Sequence, residues 1–491
     1  MTPEQIALAR TAREGMTTIS LDQPTPHSAE SLSDVLQRHN LHNASINIRN
    51  MTATGFSPSG LNNVIALAKS FRASQSPNIH RASTPTLAKF IAGEIISRWE
   101  NRPATSLTSV DFTALGDAVG DWFSAQARVL QHVVPCTLFP HRVSSIAVGP
   151  VIFHHIQDFP TETFGIAHAE FWPAEPPRWK RWVRNVWAAV RERPVQSAKP
   201  GGFHFEQLVE LAAQRHAPWM AVVDVPGRAP MESRNAADIA TDIALASIQL
   251  ISPGSDMRGI ARATARAAPV WRADVAKSED GRMSVSSGNT IPALARSPEL
   301  IADHMAAASP FLQSMGRRLA AYLSATSPLP ELDEAWCNAA YWYHEALAEH
   351  LDTVAVAKLE TAIEVLFRAE SMSGSKQRLL SSFDAIFDLK ASDAISPQNS
   401  ATVEQLVIAI TTARSRIFHG TWPTLHTDLP SAKGKPPTSY ADVETLARLL
   451  LLNFSLQLDA YQQAGETVDS TDAFLAWIKA QRATNNPSST P

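Results

Sequence analysis

The sequence predicts an α+β protein of several domains that ends in an all-helical bundle. Three observations support this prediction: the length of the chain, strand-like runs in its middle, and a succession of helical patterns after about residue 310. At 491 residues, the chain is too long for one ordinary hydrophobic core. Its hydrophobic fraction of 44% and charged fraction of 18% are typical of a folded globular protein.

Composition divides the chain into three zones and a tail. Residues 1–138 are predicted to form an irregular, mostly helical N-terminal region, and residues 139–308 a mixed α+β middle domain. Residues 309–482 are predicted to form a helical bundle, and residues 483–491 a disordered tail. In the N-terminal region, turns rich in Ser, Thr and Pro separate the helical patterns. These patterns cover residues 31–39, 61–71, 86–99 and 112–133.

The middle zone combines strand-like runs with two helical patterns. One helix, at residues 178–193, follows a Pro-rich stretch and places its tryptophan and valine side chains on a single stripe. The other begins near Ser233, which is a residue type that caps helices, and is apolar nearly all round. We therefore expect this second helix in the core of the domain. The strand-like runs cover residues 143–156, 220–225, 270–276 and 282–286.

After about residue 310 the strand signals disappear, and each segment carries a helical apolar stripe. This succession predicts a bundle of about four to six helices. The prolines of residues 420–439 exclude a helix there, so this connection is expected to run over the surface. The predicted helices cover residues 311–324, 331–350, 353–369, 376–389, 403–418, 440–464 and 471–481.

A short basic motif, Arg-Ser-Arg-Ile-Phe-His-Gly, occupies residues 414–420 at the end of one predicted helix. Arg414 and His419 form an R-x-x-x-x-H pattern, with Gly420 placed to end the helix. A pattern this short is expected about once by chance. An arginine near a helix end also commonly binds carbonyl groups or a glutamate, and the helix dipole favours a histidine there. A purely structural role for the pair is therefore an open alternative.

The helices around this motif resemble those of the Apea-like branch of the HEPN superfamily. A long helix at residues 331–350 precedes an acidic-flanked helix at 353–369, which contains Leu-Glu-Thr-Ala-Ile-Glu-Val-Leu-Phe. A helix that starts at Lys376 comes next, and the helix that ends in the motif follows it. The resemblance covers about residues 310–465, roughly a third of the chain. It implies a HEPN-like helical bundle of the R-x4-H ribonuclease type.

The resemblance also implies an activity. HEPN ribonucleases cleave single-stranded or loop RNA without a metal ion, using the 2′-hydroxyl to attack the adjacent phosphate and leaving a 2′,3′-cyclic phosphate. A histidine can move the required proton near neutral pH, and an arginine can stabilise the charge that develops on the phosphate. The expected function is a metal-independent RNA endonuclease. By resemblance, such proteins often act as toxins in bacterial stress responses or in abortive infection, a defence against phage.

The family pattern assigns roles to individual residues. His419 is the candidate general base or acid, and Arg414 is the candidate phosphate clamp. Ser415 matches the polar residue that often follows the arginine. Glu364, on the second bundle helix, is expected to support Arg414 or His419, with Glu360 behind it.

Further RNA contacts are predicted from basic residues. Arg416 is expected to bind a second phosphate, and Lys180, Arg181 and Arg184 alternate with tryptophans as in surfaces that bind single strands. An ordinary amphipathic surface helix shows the same separation of rings and charges, so that interpretation of the helix is also open. Because the net charge of the chain is −4, RNA must be bound by a local basic surface.

The spacing of the motif bears on oligomeric state. Five steps along an ideal helix place Arg414 and His419 about 140° apart, so the two side chains do not share one face. A groove between two copies would bring opposed motifs together, and the resemblance implies such a two-fold homodimer. A second class of function is open: a non-catalytic HEPN module that binds RNA or a protein partner in a sensor or scaffold.

No metal ion and no cofactor are predicted. Cys136 and Cys337 are too few for a zinc site or a disulfide framework. His344 and Glu345 begin a zinc-protease pattern, but its second histidine would fall at residue 348, which is alanine.

A histidine cluster in the middle zone is a second candidate metal site. His154 and His155 are adjacent in a strand-like run and should point to opposite faces, so a metal shared with His168 and Glu170 is not expected.

Motifs for nucleotide hydrolysis, dinucleotide binding and ester hydrolysis are missing from the sequence. The start of the chain lacks a signal-peptide pattern, and no window reaches the length of a membrane span. A cytoplasmic protein is expected.

Overall fold

The computed structural model describes residues 1–21, 32–47, 50–74, 82–126, 128–164, 203–263, 271–289, 297–369, 372–396, 399–419 and 439–485. Over these residues the protein is mixed α/β, mostly helical with several small antiparallel sheets. The chain groups into two compact units. Unit 1 comprises residues 1–130 and 225–235, and unit 2 comprises residues 131–224 and 236–491.

Unit 1 packs helices around a small sheet with the strand order β1-β3-β2. Its first helix, α1 (Pro3–Glu14), begins with a capping box. The Thr2 hydroxyl accepts the Gln5 N–H at 3.2 Å, and the Gln5 side chain accepts the Thr2 N–H at 2.9 Å. The other elements are β1 (Met16–Ser20), α2 (Leu32–Arg38), β2 (His42–Asn47), β3 (Thr52–Phe56), α3 (Pro58–Ala73), α4 (Thr84–Trp99) and α5 (Ser109–Gln126).

Observed helices occupy all four helical patterns predicted for this region, but two features differ from the prediction. The sheet was not predicted, because its strands are five or six residues long and lack a clear alternation of apolar and polar positions. The helix predicted over residues 112–133 is wrong in its last part, since α5 ends at Gln126 and β4 (Leu130–Thr137) follows. The two valines before Pro135 in β4 favour extended backbone over helix.

Unit 2 contains a five-stranded sheet with the strand order β5-β6-β7-β4-β8. Strand β7 is buried at every position except Asp224, which places it inside the hydrophobic core. The strand predicted at residues 143–156 is a hairpin of two strands, and the strand at 220–225 is confirmed. The new strands are β5 (Ile146–Val148), β6 (Val151–His155), β7 (Trp219–Val225) and β8 (Ala261–Arg262).

Two further strands pair as an antiparallel hairpin and confirm the predictions at residues 270–276 and 282–286. The apolar helix of the middle zone is confirmed and largely buried, but its predicted N-cap is wrong. It begins at Pro230, a residue favoured in the first helical turn, so Ser233 lies inside the helix. These elements are α6 (Phe203–Gln214), α7 (Pro230–Leu250), α8 (Gly254–Met257), β9 (Trp271–Lys277) and β10 (Met283–Asn289).

Helices dominate the rest of unit 2, and every helix predicted after residue 310 falls on an observed one. The bounds of α14 agree with the prediction at both ends. The helices are α9 (Pro298–Ala307), α10 (Ser309–Ser324), α11 (Pro330–Leu347), α12 (Asp352–Leu366), α13 (Met372–Ser382), α14 (Val403–Phe418), α15 (Tyr440–Gln463) and α16 (Thr471–Asn485).

Three details of this region correct the prediction. A short hairpin of β11 (Ala394–Ser396) and β12 (Asn399–Thr402) interrupts the helices, although no strand was expected there. Helix α13 gives way to a π-helical turn at Phe383–Phe387, which ends at Asp388 with a φ of 60°. Helix α16 continues to Asn485, so residues 483–485 are helical and not part of a disordered tail.

The predicted boundary near residue 308 does not separate two units. Gly149, in the turn between β5 and β6, lies directly against Gly316 of α10. Gly149 has a φ of 56°, a conformation that favours glycine, and a side chain on either residue would overlap the backbone of the other. The sheet and the helices of unit 2 therefore meet at a backbone contact that only glycine permits.

We expect Gly316→Ala to lower the free energy of unfolding by about 1–3 kcal/mol, because the added methyl forces this contact apart. Denaturant unfolding of the full chain measures the change. Gly93→Ala in α4 is a matched control, since a methyl there would meet nothing within 4 Å. That variant should be neutral or slightly stabilising. Equal stabilities for the two variants would contradict the role assigned to the glycine contact.

No helix among the described residues is both long enough and apolar enough to cross a membrane.

Candidate functional site

Helix α14 carries the Arg414 motif at its C-terminal end. Its first turn is fixed by a second capping box, in which Thr402 and Gln405 exchange side-chain and backbone hydrogen bonds. Five apolar residues at helical spacing then form its buried face. This register places Arg414 beside the core, with 40% of its side chain exposed. The buried residues are Val403, Val407, Ile410, Ala413 and Ile417.

The Arg414 guanidinium forms an ion pair with Glu364 of α12. The distance from Arg414 Nη1 to Glu364 Oε2 is 2.5 Å, and only 12% of the Glu364 side chain is exposed. The hydroxyl of Ser375, on α13, donates to the other oxygen of Glu364 at 2.9 Å. Both oxygens of this carboxylate are thus bound, so Glu364 holds the guanidinium in a defined position.

The second carboxylate, Glu360, lies one turn before Glu364 on α12 and is 1% exposed. It accepts a 2.7 Å hydrogen bond from the backbone N–H of Arg414. In a regular α-helix that N–H donates to the carbonyl group four residues earlier, which here belongs to Ile410. Two adjacent turns of α12 therefore hold Arg414. Glu360 binds the backbone N–H of Arg414, and Glu364 binds its guanidinium.

Burial raises the pKa of Glu360 from its ordinary value near 4.5 to about 7. The negative charge of Glu364 acts in the same direction, whereas the Arg414 N–H and guanidinium partly offset it. Near neutral pH this carboxyl group can therefore exist in both protonation states. A buried carboxyl group with such a pKa, next to an arginine at a helix end, is a feature that functional sites often show.

His419 is the C-terminal cap residue of α14 and is exposed. Its backbone N–H donates to the carbonyl of Ser415 at 3.0 Å, so its main chain is tied to the helix while its ring faces solvent. Ser415 is also exposed. Arg416 is partly buried. Because α14 stays helical through Phe418, Arg414 and His419 point in directions about 140° apart.

The structure thus brings Arg414 and Glu364 into contact, and it places His419 and Ser415 on the same helix end. Ser375, which the sequence interpretation missed, completes the group through a contact between two helices that no motif or spacing reveals. Three predicted RNA-binding residues, Lys180, Arg181 and Arg184, lie outside the described residues, as does Gly420.

Among the described residues, no three His, Cys, Asp or Glu side chains are grouped so that they could hold one metal ion. His154 and His155 contact different aromatic rings, those of Phe159 and Trp219. His168 and Glu170 lie outside the described residues.

His344, the other histidine considered as a metal ligand, belongs to a buried polar network. Its Nδ1 lies 2.7 Å from Gln249 Oε1, and its Nε2 lies 3.6 Å from a carboxylate oxygen of Asp242. Asp242 in turn accepts two hydrogen bonds from the Arg262 guanidinium, at 2.7 and 2.9 Å. These contacts join α7, α11 and β8, so the role of this histidine is to stabilise the core of unit 2.

The chain was compared with protein-family models, with curated proteins and with solved structures. None of the three comparisons found a match.

Proposed function

We propose that this protein is a metal-independent RNA endonuclease of HEPN type, whose C-terminal helices cut RNA by attack of the substrate's own 2′-hydroxyl. The observation that carries the proposal is the held arginine: α12 binds both the backbone and the guanidinium of Arg414, at the helix end that also exposes His419. Orienting an arginine through a buried carboxylate is a common way to prepare it for an anionic ligand.

In this proposal each residue has a defined chemical task. The exposed edge of the Arg414 guanidinium binds the scissile phosphate and stabilises the negative charge that develops on phosphorus. His419 takes the proton from the 2′-hydroxyl or gives a proton to the leaving 5′-oxygen. Ser415 and Arg416 add contacts to the phosphate backbone. Since Arg414 and His419 diverge on one helix, a second copy completes the site, and the proposed active form is a homodimer.

One observation favours a second candidate function. The Arg414 guanidinium is already paired with Glu364 at 2.5 Å, so the motif is also consistent with a non-catalytic HEPN module that binds RNA or a protein partner.

For the enzyme, we propose a role in bacterial stress response or defence against phage, with the rest of the chain selecting the target.

Arg414→Ala and His419→Ala are each expected to lower the rate of RNA cleavage by about 100-fold or more. The first removes the group that stabilises the charge on phosphorus, and the second removes the group that transfers the proton. The purified full chain is incubated with structured RNAs in EDTA, and the products are analysed for 2′,3′-cyclic phosphate ends. Cleavage that persists in EDTA in the unmodified protein and is lost in both variants is the expected result.

Arg98→Ala is a suitable control, because Arg98 pairs with Glu94 within a single helix of unit 1 and lies far along the chain from the motif. This variant should cleave at the unmodified rate. Failure of the unmodified protein to cleave, with RNA binding equal in all variants, would leave the binding module as the function. Cleavage that requires Mg²⁺ would contradict both the mechanism and the family resemblance.

A further inference from the structure

A serine and a histidine meet at the open end of the β5–β6 hairpin. Ser145 directly precedes β5, and the pairing of Ile146 with Phe153 places it opposite His154 on β6. The Ser145 Oγ lies 2.8 Å from His154 Nδ1. β5 is the edge strand of the five-stranded sheet, and β6 lies between it and β7, so the strand pairing fixes the backbones on both sides of this contact. The pair has the geometry of a hydroxyl nucleophile beside its base.

The surroundings of His154 suit it to accept a proton. The ring is partly buried, with Phe159 edge-on to it at 6.3 Å between ring centres. Burial lowers its pKa, which keeps the imidazole neutral at neutral pH, while the charge of Asp158 opposes this effect. Arg142 holds Asp158 through two hydrogen bonds, one of them 2.7 Å long from Arg142 Nε to Asp158 Oδ2. Asp158 thus keeps its negative charge near His154, and this charge favours the imidazolium that forms.

Ser145 also lines two adjoining clefts of different character. One, of about 520 Å³, is polar and is bordered by the Arg142–Asp158 pair and by Glu299 of α9. The other, of about 410 Å³, is largely apolar. Its apolar side chains come from β5, the residues just before it, α9 and α10. They are Val143, Ile146, Ala147, Ala302, Met305, Ala306 and Leu312. The hydroxyl therefore lies where an apolar and a polar part of one ligand would meet.

We propose that Ser145 and His154 form a second catalytic site, which hydrolyses carboxylic esters that have a short apolar acyl group. The acyl group occupies the apolar cleft, and the alcohol part of the ester faces the polar one. No residue of this site belongs to the Arg414 motif. The pair lies across two strands with no G-x-S-x-G turn, which explains why motif reading of the sequence excluded ester hydrolysis.

The reaction follows from the contacts. Ser145 Oγ attacks the ester carbonyl carbon as its proton passes to His154 Nδ1, and the tetrahedral intermediate then expels the alcohol oxygen. That oxygen takes the proton from His154, which releases the alcohol and leaves an ester on Ser145. Water next attacks this ester while His154 accepts a proton from it. Collapse returns that proton to Ser145 Oγ and releases the carboxylic acid, so one ester and one water give one acid and one alcohol.

The test uses the full chain with p-nitrophenyl butyrate as substrate and a fluorophosphonate as a covalent probe, located by peptide mass spectrometry. We expect hydrolysis above the buffer rate and labelling of Ser145. Ser145→Ala should abolish both. His154→Gln, which can still accept the hydroxyl hydrogen bond but cannot take the proton, should lower the hydrolysis rate by about 100-fold or more.

Ser284→Ala supplies the control, because Ser284 is an exposed serine on another strand, β10, and should leave both readouts unchanged. Thermal melting of each variant shows whether the fold is intact. The proposal is overturned if the folded, unmodified protein gives neither hydrolysis nor labelling. It is equally overturned if hydrolysis or labelling survives in folded Ser145→Ala, or if folded His154→Gln hydrolyses at the unmodified rate.

Discussion

Arg318→Met is expected to lower the free energy of unfolding of unit 2 by about 3–5 kcal/mol, the cost of leaving a buried charge without its partner. Arg318, on α10, is 1% exposed and binds two carboxylates. Its Nη1 lies 3.0 Å from Asp333 on α11, and its Nη2 donates to Asp459 on α15 at 2.6 Å. Methionine fills a similar volume but cannot balance the charge of Asp333, whereas Asp459 keeps its hydrogen bonds to Arg317.

Asp333 shows why the loss is large. It is 1% exposed, and burial raises its pKa even with Arg318 present, so its charged form depends on that guanidinium. The variant is compared with the unmodified chain by denaturant unfolding at neutral pH. Adding Asp333→Asn to Arg318→Met should recover part of the lost stability, because it removes the buried charge that Arg318 no longer balances.

Arg317→Met is the matched control for this buried network. Arg317 also binds Asp459, at 3.0 and 2.5 Å, but 53% of its side chain is exposed. Since a solvent-exposed ion pair contributes little, the expected loss is about 1 kcal/mol or less. Similar losses for Arg317→Met and Arg318→Met would show that burial does not decide the contribution of these arginines.

The helices of the C-terminal region could be placed from sequence because their signals are local. In α14, apolar residues at helical spacing begin directly after Thr402, and the last of them, Ile417, lies next to Phe418, where the helix ends. Strands β1, β2 and β3 were missed because their stability comes from pairing with residues far along the chain, and their own sequences carry little periodicity. The end of α5 was missed although the valines before Pro135 favour extended backbone, because the residue at which β4 begins is fixed by its pairing in a sheet.

The candidate site shows the same difference between features that the sequence predicts and contacts that only the folded structure shows. The family resemblance led to the expectation that Glu364 supports Arg414 or His419, and the structure places Glu364 in contact with Arg414. The hydrogen bond from the Arg414 backbone N–H to Glu360 depends on the distance between α12 and α14, which no pattern in the sequence states. The contact of Ser145 with His154 likewise depends on the register of a hairpin. Motif and resemblance therefore found the charged residues of the candidate site, and missed the hydrogen bonds that depend on packing and register.

Glu360 should make unit 2 less stable as pH rises from about 4.5 to about 7. Its pKa is near 4.5 in the unfolded chain and about 7 in the folded protein, so the folded state holds the proton more tightly. Stability linked to this proton is fully present below pH 4.5 and is lost as pH rises through 7. A shift of this size corresponds to about 3 kcal/mol.

Glu360→Gln tests this prediction, because glutamine cannot ionise and still offers an oxygen to the Arg414 N–H. We expect the variant to match the unmodified chain near pH 4.5 and to exceed its free energy of unfolding by about 3 kcal/mol at pH 8. Unfolding in urea at several pH values between these limits measures the difference. Glu404→Gln serves as the control, since Glu404 pairs with Lys376 at the surface with 49% of its side chain exposed, and it should leave the pH dependence unchanged. If Glu360→Gln is less stable than the unmodified chain at pH 8, the ionised carboxylate stabilises the site, and the direction of its pKa shift is wrong.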